Sequence, residues 1–354
     1  MAAGNWFDWT TGDLVTEARF QDIQDSIVFI YATDTAANTA LTNKVEGTVY
    51  FNTTDDVLKV WDGSAWIEVG AGVDVFALEY LLVGGGGNPR LASGKHGGGG
   101  AGGQLTNVSG DNSGGGNSAS PAFYVIPSTN YIVEVGASKS ISYFGAITAG
   151  QGGSSGSGGF FTNYAPTSPG GNGTTASTPV WPTQGFIGGA GNTGGISVGG
   201  GGGGTGTVGA DNSGATGGNG GTGTISTIIS ASDATTYSVG EVSGSDVYFG
   251  GGGGGAGSLA SGGSNSTGGL GGGGDGKVGS TNAEFGAANT GGGGGASNTG
   301  TDGQGGSGVV ILKFPDTYTI TVGAGLTDAT SGGITSGGFT TVILTAGVDT
   351  VSWS

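Results

Sequence analysis

The chain has 354 residues, of which 89 are glycine, 8 are proline, one is histidine and none is cysteine, and 25 acidic against 8 basic side chains give a formal charge of −17. The missing cysteines exclude disulfides, thiolate metal sites and thiol nucleophiles, and the acidity argues against nucleic acid or anionic lipid as a partner. With 9% charged residues and an abundance of Ser, Thr, Asn and Gly, the composition points to an exposed, rigid, hydroxyl-coated structure rather than a catalyst.

The N-terminal stretch MAAGNWFDW lacks the basic region and apolar core of a signal peptide, and no apolar run approaches a membrane span. The expectation is synthesis in a cytoplasm with no membrane insertion. Thr16 is placed to cap a helix over roughly 17–28, because Phe20, Ile23, Ile27 and Ile30 recur at three- and four-residue intervals. That stripe either packs on the module's own strands or joins three copies in a helix bundle, which makes Phe20, Ile23, Ile27 and Ile30 the candidate oligomer interface. A short helix near Thr35–Leu41 follows. Residues 47–69 then read as a three-stranded meander, with turns at Asp55-Asp56 and Asp62-Gly63. Alternation puts Tyr50 and Asn52 on one face and Val49 and Phe51 on the other, so that one side can bury Trp61 and Trp66 as core.

From Val75 the composition changes. Leu78–Val83 is a strand that runs into Gly84–Gly87, and residues 307–315 form one that leaves the last glycine tract. Between them lie strand candidates at Ala122–Ile126, Tyr131–Val135, Ile141–Ile147, Thr224–Ile229 and Asp246–Phe249, separated by Gly97–Gly100, Gly199–Gly204, Gly250–Gly255, Gly271–Gly274 and Gly291–Gly295. Three readings compete for these tracts. A flexible linker buries too little apolar surface to offset chain entropy. Collagen needs glycine at strict third positions, which this chain does not keep. The third reading, a bundle of single polyproline II helices, makes four to six glycines roughly one to two turns, about 12–19 Å long. Such a helix has no internal hydrogen bonds, so its N–H and C=O groups must find partners on neighbouring runs, and only glycine permits that approach on all sides. Ordering so many glycines is entropically costly, so a β framework should clamp their ends. Ordered glycine helices are the expectation and irregular loops the alternative. Residues 316–354 add strand candidates at Tyr318–Val322, Thr340–Leu344 and Thr350–Trp353, read as a cap or packing tab. The expected domains are thus 1–74, 75–315 and 316–354, and the class is mainly β.

Chemistry-bearing residues are sparse. His96, flanked by glycines, is expected to be a solvent-facing loop residue able to touch a ligand; as a catalytic base it would need a nucleophile and an orienting carboxylate, for which Ser93 and distant aspartates are the only recruits. Glycan cleavage needs two carboxylates about 5–10 Å apart, whereas Asp211, Asp233, Asp246, Asp275 and Asp302 are spread singly. A calcium β-roll would repeat every nine residues, and no such period follows Asp275. Phosphate-loop matches among so many glycines carry no information without a strand–loop–helix context. No cofactor, metal site or catalytic residue is expected. Residues 160–186 concentrate aromatics and four of the prolines, as a stiff aromatic-tipped loop does, and aromatics stack on sugars and anchor interfaces. Phe160, Phe161, Tyr164, Trp181 and Phe186, with His96, are the candidate receptor contacts; the alternative is that the aromatics cover the flank of the glycine bundle.

The string GTVYFNTTDDVLKVWDGSAWIEV, residues 47–69, resembles a module of the form G-T-x-Y-x-N-T-x-D-x-x-L-x-x-W-D-G-x-x-W in tail-fibre and other appendage proteins of tailed bacteriophages. The preceding WTTGDLVTEARFQDIQDSIVFIYATDTAANTA resembles the segment that opens phage virion fibres. Nearly all of 75–315 is similar to the glycine-rich domain of such proteins, through its L-x-V-G-G-G-G opening, Thr129–Ala137, Ser142–Gly145 and the G-G-S-G-V-V-I-L close, and 316–354 resembles the short β segment that ends them. A more distant likeness is to the glycine-rich ectodomain region of anaplastic lymphoma kinase, which implies glycine helices inserted in a jelly-roll-like β-sandwich, here without cysteines. These resemblances imply a non-enzymatic virion fibre or adhesin, homotrimeric through residues 14–30 and the meander, anchored to other virion proteins by its N-terminal module and meeting a host-surface glycan or protein. The alternatives are a capsid-attached decoration protein and a cellular adhesive or ice-binding protein.

Overall fold

The computed structural model describes residues 29–55, 57–69, 75–92, 95–154, 183–192 and 198–354. The chain forms two compact units, 1–74 and 75–354. In the first, Phe29–Tyr31, Val49–Asn52, Val57–Trp61 and Trp66–Glu68 make a four-stranded sheet in that order, the first pair parallel and the others antiparallel. Helix Asp34–Ala40, capped by Thr33 Oγ1 accepting from Ala36 N, is tied to one face of this sheet. Asp34 accepts hydrogen bonds from the Tyr50 hydroxyl, from Asn52 Nδ2 at 3.1 Å and from Lys59 Nζ at 2.8 Å. Tyr50, Asn52 and Lys59 are therefore the buried residues of that face. Trp61 and Trp66 share the face but are only half-buried, which corrects the expectation of a tryptophan core; the helix's acid draws the polar trio beneath it instead. Ile30 lies in a strand and is 67% exposed, so it does not continue a helical stripe. The β-favouring run Phe29-Ile30-Tyr31 outweighs the three-to-four spacing there. Phe20, Ile23, Ile27 and the helix expected over 17–28 lie outside the described residues.

The second unit is mainly β, with the glycine tracts inserted into a sandwich-like sheet. Its strand order is Phe123–Val125, Phe76–Val83, Val309–Pro315, Phe339–Trp353, Tyr131–Val135, Ser142–Phe144 and Ile147–Ala149, antiparallel throughout. The strand entering the first glycine tract and the one leaving the last pair directly, Val83 opposite Val309 and Leu81 opposite Ile311. The sheet nearly closes on itself, since Ser142 Oγ, on its far side, donates to Val83 O at 2.7 Å.

Leu82, Tyr80, Leu312, Phe314 and Leu344 point into one core, which Phe144 and Trp353 complete. Leu81, Val83, Val309, Ile311 and Ile343 point into another, closed by Val239, Val247 and Phe249. Burial on both faces explains why these strands read as continuous apolar runs rather than alternating ones.

Several expected elements change on folding. Residues 316–354 are not a separate cap: Thr340–Leu344 and Thr350–Trp353 merge into the 15-residue strand Phe339–Trp353, which sits between Val309–Pro315 and Tyr131–Val135 and supplies Trp353 to the core. Ile141–Ile147 splits into a hairpin turning at Gly145, whose φ of +56° suits glycine. Thr224–Ile229 is a strand only at Thr224–Ile225; a helix, Ala231–Tyr237, follows, with Ser230 Oγ accepting from Asp233 N as its N-cap.

The tracts themselves pack as polyproline II helices. Around Gly251–Ala256 the donors repeat every third residue: Gly251 and Gly254 donate to Gly271 and Gly274, Gly252 and Gly255 to Gly221 and Gly218, and Gly253 and Ala256 to Gly99 and His96. The acceptors follow the same period, with Gly251 and Gly254 accepting from Gly293 and Ala296, Gly253 and Ala256 from Gly202 and Gly199, and Gly252 from Gly269. All these distances lie between 2.8 and 3.0 Å. A period of three with every bond lateral is the signature of this helix, and the run is surrounded by six others. A Cβ on Gly252 would lie 2.1 Å from Gly202 O, and one on Gly253 2.0 Å from Gly294 O, so the close approach itself demands glycine.

Candidate functional site

The hydrogen-bond register gives the bundle two different ends. At one, Val83 passes into Gly84, Phe249 into Gly250 and Gly308 into Val309, and Gly84 pairs with Gly103, Gly103 with Gly150 and Thr205 with Gly250. This is the framework end. The far ends of the runs meet likewise, as in Ala256 with His96, Gly199 with Ala256, and Ala296 with Gly254. The connections that follow Ala210, Ala256, Asp275 and Ala296 therefore gather at the distal end, where side chains larger than hydrogen return.

What these distal residues do is mostly structural. Asp211 Oδ1 accepts from Ala190 N at 2.6 Å, Asp275 Oδ1 from Gly268 N at 2.9 Å and Asp302 Oδ1 from Ser297 N at 2.7 Å. Each acid terminates a run by satisfying a backbone N–H that the bundle no longer reaches. Lys277 Nζ bridges Glu284 Oε1 at 2.8 Å and Asp275 Oδ2 at 3.1 Å. The Glu284 hydrogen bond, with help from Asp275 and against a desolvation cost, holds the Lys277 ammonium above its ordinary range.

His96 is buried, not solvent-facing, and so departs from the sequence expectation. Its carbonyl accepts from Ala256 N, which draws it into the bundle's edge, and its Nδ1 lies 3.7 Å from Asp302 Oδ1, beyond a hydrogen bond. Phe186 is half-buried and belongs to the bundle: its N–H donates to Gly204 O at 2.8 Å, near the framework end. The structure thus does not bring Phe186 and His96 together. Phe160, Phe161, Tyr164 and Trp181 lie outside the described residues.

Two exposed apolar side chains lie among the runs and their connections. Leu259, on the single-turn segment Leu259–Ser261, is 61% exposed and lies beside Gly279, so two distal connections meet there. Phe285, 65% exposed, sits instead on the flank of the bundle, between Glu284, whose N–H donates to Asp275 O, and Gly286, whose N–H donates to Gln304 O. The signal for both was available, namely a lone large apolar residue in a Gly/Ser/Asn background.

Among the described residues no three His, Cys, Asp or Glu side chains gather as a metal would require, and no helix is long and apolar enough to cross a membrane. Four members of the motif in residues 47–69 have a local structural role. Asn52 Oδ1 accepts from Thr54 N and Asp55 N in the first turn, and Asp62 Oδ1 from Ser64 N and Ala65 N in the second. Gly63 has φ +99°, and Trp66 Nε1 donates to Asn38 Oδ1 at 3.0 Å. Compared with known proteins, the chain matches no family model, no curated protein and no solved structure.

Proposed function

We propose that this protein is a non-enzymatic structural component of a phage virion, a fibre or adhesin whose glycine bundle holds a set of connecting loops away from a β framework for contact with a host surface. The observation that carries the reading is the polarity of the bundle, with strands fixing the runs at one end and loops gathered at the other. Lateral hydrogen bonds in every direction make such a spacer stiff at little side-chain cost. The motif in residues 47–69 supports an appendage module at the N-terminus, with other virion proteins as its partners and the virion as the location. Homotrimerisation through residues 14–30 and the meander is part of the proposal; Ile30 and Ile67, exposed on the sheet face away from the helix, are apolar surface that such an assembly would cover. Mass measurement at micromolar concentration should give a trimer that Ile23→Asp disperses, and a stable wild-type monomer would refute that part.

The functional test is binding of fluorescently labelled full chain to a panel of bacterial strains. Binding restricted to some strains, and lost in Leu259→Ser, supports an adhesin acting through the distal loops. No binding to any strain favours a decoration role.

A further inference from the structure

A second polar surface lies at the framework end, away from the distal loops. The ridge Gly110–Asn112 separates two shallow hollows of about 430 and 450 Å³, within the range of small-ligand sites. The lining of the first combines Asn112, Thr222, Thr224 and Thr227 with the side chains of Ile225 and Tyr248, above the buried Ser113 and Thr205. Ile225 and Tyr248 are direct cross-strand partners on neighbouring antiparallel strands, and Val247 and Phe249, which flank Tyr248, face the core; the tyrosine ring is thereby turned outward and half-exposed. The second hollow carries the hydroxyls of Ser109, Ser118 and Ser120.

The charge pattern narrows the ligand. Asp111 is the single charged residue lining either hollow. It is buried, and its carboxylate is already engaged: Oδ2 accepts from Ser226 Oγ at 2.7 Å and Thr227 N at 2.9 Å, and Oδ1 from Thr227 Oγ1 at 2.8 Å. Three neutral donors occupy most of that carboxylate's lone pairs, leaving few for a cation to coordinate, and with no Lys or Arg lining the hollows an anion finds no counter-charge. The network also fixes the wall, since it joins the 110–112 ridge to the segment after Thr224–Ile225. What remains is a rigid groove that sets hydroxyl and amide groups beside an aromatic and aliphatic patch. An uncharged sugar offers the complementary surface, with a C–H face to lie on Tyr248 and hydroxyls to exchange hydrogen bonds with Asn112 and the threonines.

We infer that this groove is a binding site for a neutral oligosaccharide, centred on Tyr248 and Asn112. The inference does not rest on the distal-loop reading, because the two surfaces lie at opposite ends of the bundle. The test exposes the full chain to an array of neutral glucan, mannan, galactan and N-acetylglucosamine oligomers, with sialylated and sulfated oligosaccharides as charged controls. At least one neutral series should bind, and the charged series should not. Tyr248→Ala should weaken binding by about tenfold, the scale of one lost stacking contact, while Tyr248→Phe retains it. Asn112 is exposed, so Asn112→Ala should fold normally and still weaken binding, which keeps the test valid if Tyr248→Ala fails to fold. Failure of every neutral series to bind, equal or better binding of the charged series, or full retention in Asn112→Ala and a folded Tyr248→Ala would overturn the inference. The Leu259→Ser variant should bind the same sugars unchanged, which separates this site from the proposed adhesive loops.

Discussion

The β framework and the glycine bundle belong to one unit and solve the same problem with opposite materials. In the framework, large side chains from strands buried on both faces fill two cores, and Trp353 alone meets Phe76, Tyr131, Phe144 and Phe314. In the bundle there are almost no side chains to bury, and order comes from backbone groups bonded sideways to six neighbours. The comparison teaches that close approach can stand in for hydrophobic volume only when no Cβ intervenes. It also shows why the two must be joined: the bundle's entropic cost is high per residue, and the paired strands Phe76–Val83 and Val309–Pro315 fix the point at which it starts and ends.

The largest expected effect is in the framework. Trp353→Ala should cost about 3–5 kcal/mol, as for other large-to-small changes in a packed core, and urea titration of the second unit would read it. Because Trp353 Nε1 is buried with no hydrogen-bond partner among the described residues, Trp353→Phe should lose much less than Trp353→Ala. Equal losses would mean that the ring does not fill this core.

Next comes the bundle, where the change runs the other way, from small to large. Gly253→Ala should destabilise by about 1–3 kcal/mol, the usual range for overpacking, since its new methyl would meet Gly294 O. Gly252→Ala should behave alike against Gly202 O. Were the tract a flexible linker, alanine would leave the melting temperature unchanged or raise it slightly by stiffening the unfolded chain.

The smallest effect sharpens the contrast with the first unit, whose buried face is polar. Lys59 accordingly holds the Asp34 carboxyl below its ordinary range, with Tyr50 assisting, and Asp34 holds the Lys59 ammonium above its own. Burial, with the Asp34 hydrogen bond second, pushes the Tyr50 hydroxyl up to about 12. A depressed acid contributes stability above its unfolded value of 3.8, lost as pH falls through the lower folded value. A raised lysine or tyrosine contributes stability below its unfolded value, 10.5 or 10.0, lost as pH rises through the higher folded one. The helix contact of this unit should therefore be firm from about pH 4 to pH 10 and weaken on both sides. Tryptophan fluorescence of Trp61 and Trp66 against pH would show a flat centre with two edges, and Asp34→Asn should blunt both.

Much of this was legible in the chain. The runs Leu78–Val83 and Val309–Phe314 announced buried strands, and glycine tracts entered from apolar strand ends announced a clamped bundle. Less visible was whatever depends on partners far away in sequence. Thr340–Leu344 and Thr350–Trp353 looked like a terminal tab because the five residues at 345–349 break the apolar pattern, yet pairing with Tyr131–Val135 carries the strand through them. His96 looked exposed because of the glycines near it, yet its carbonyl accepts from Ala256 N and the residue is buried at the bundle's edge. Lys59 was unremarked because its acid is 25 residues away. The groove around Tyr248 was hidden for a similar reason: Asn112, Thr222 and Tyr248 share no local motif and meet only through the fold.

Amide hydrogen exchange at Gly251, Gly252, Gly253, Gly254 and Gly255 tests the central claim most directly. Each of these N–H groups donates to a neighbouring run, so all five should exchange as slowly as the paired strand amides of Leu81, Leu82 and Val83. Exchange at the rate of an unstructured peptide, with the strands still protected, would contradict the bundle and return these glycines to the status of linkers.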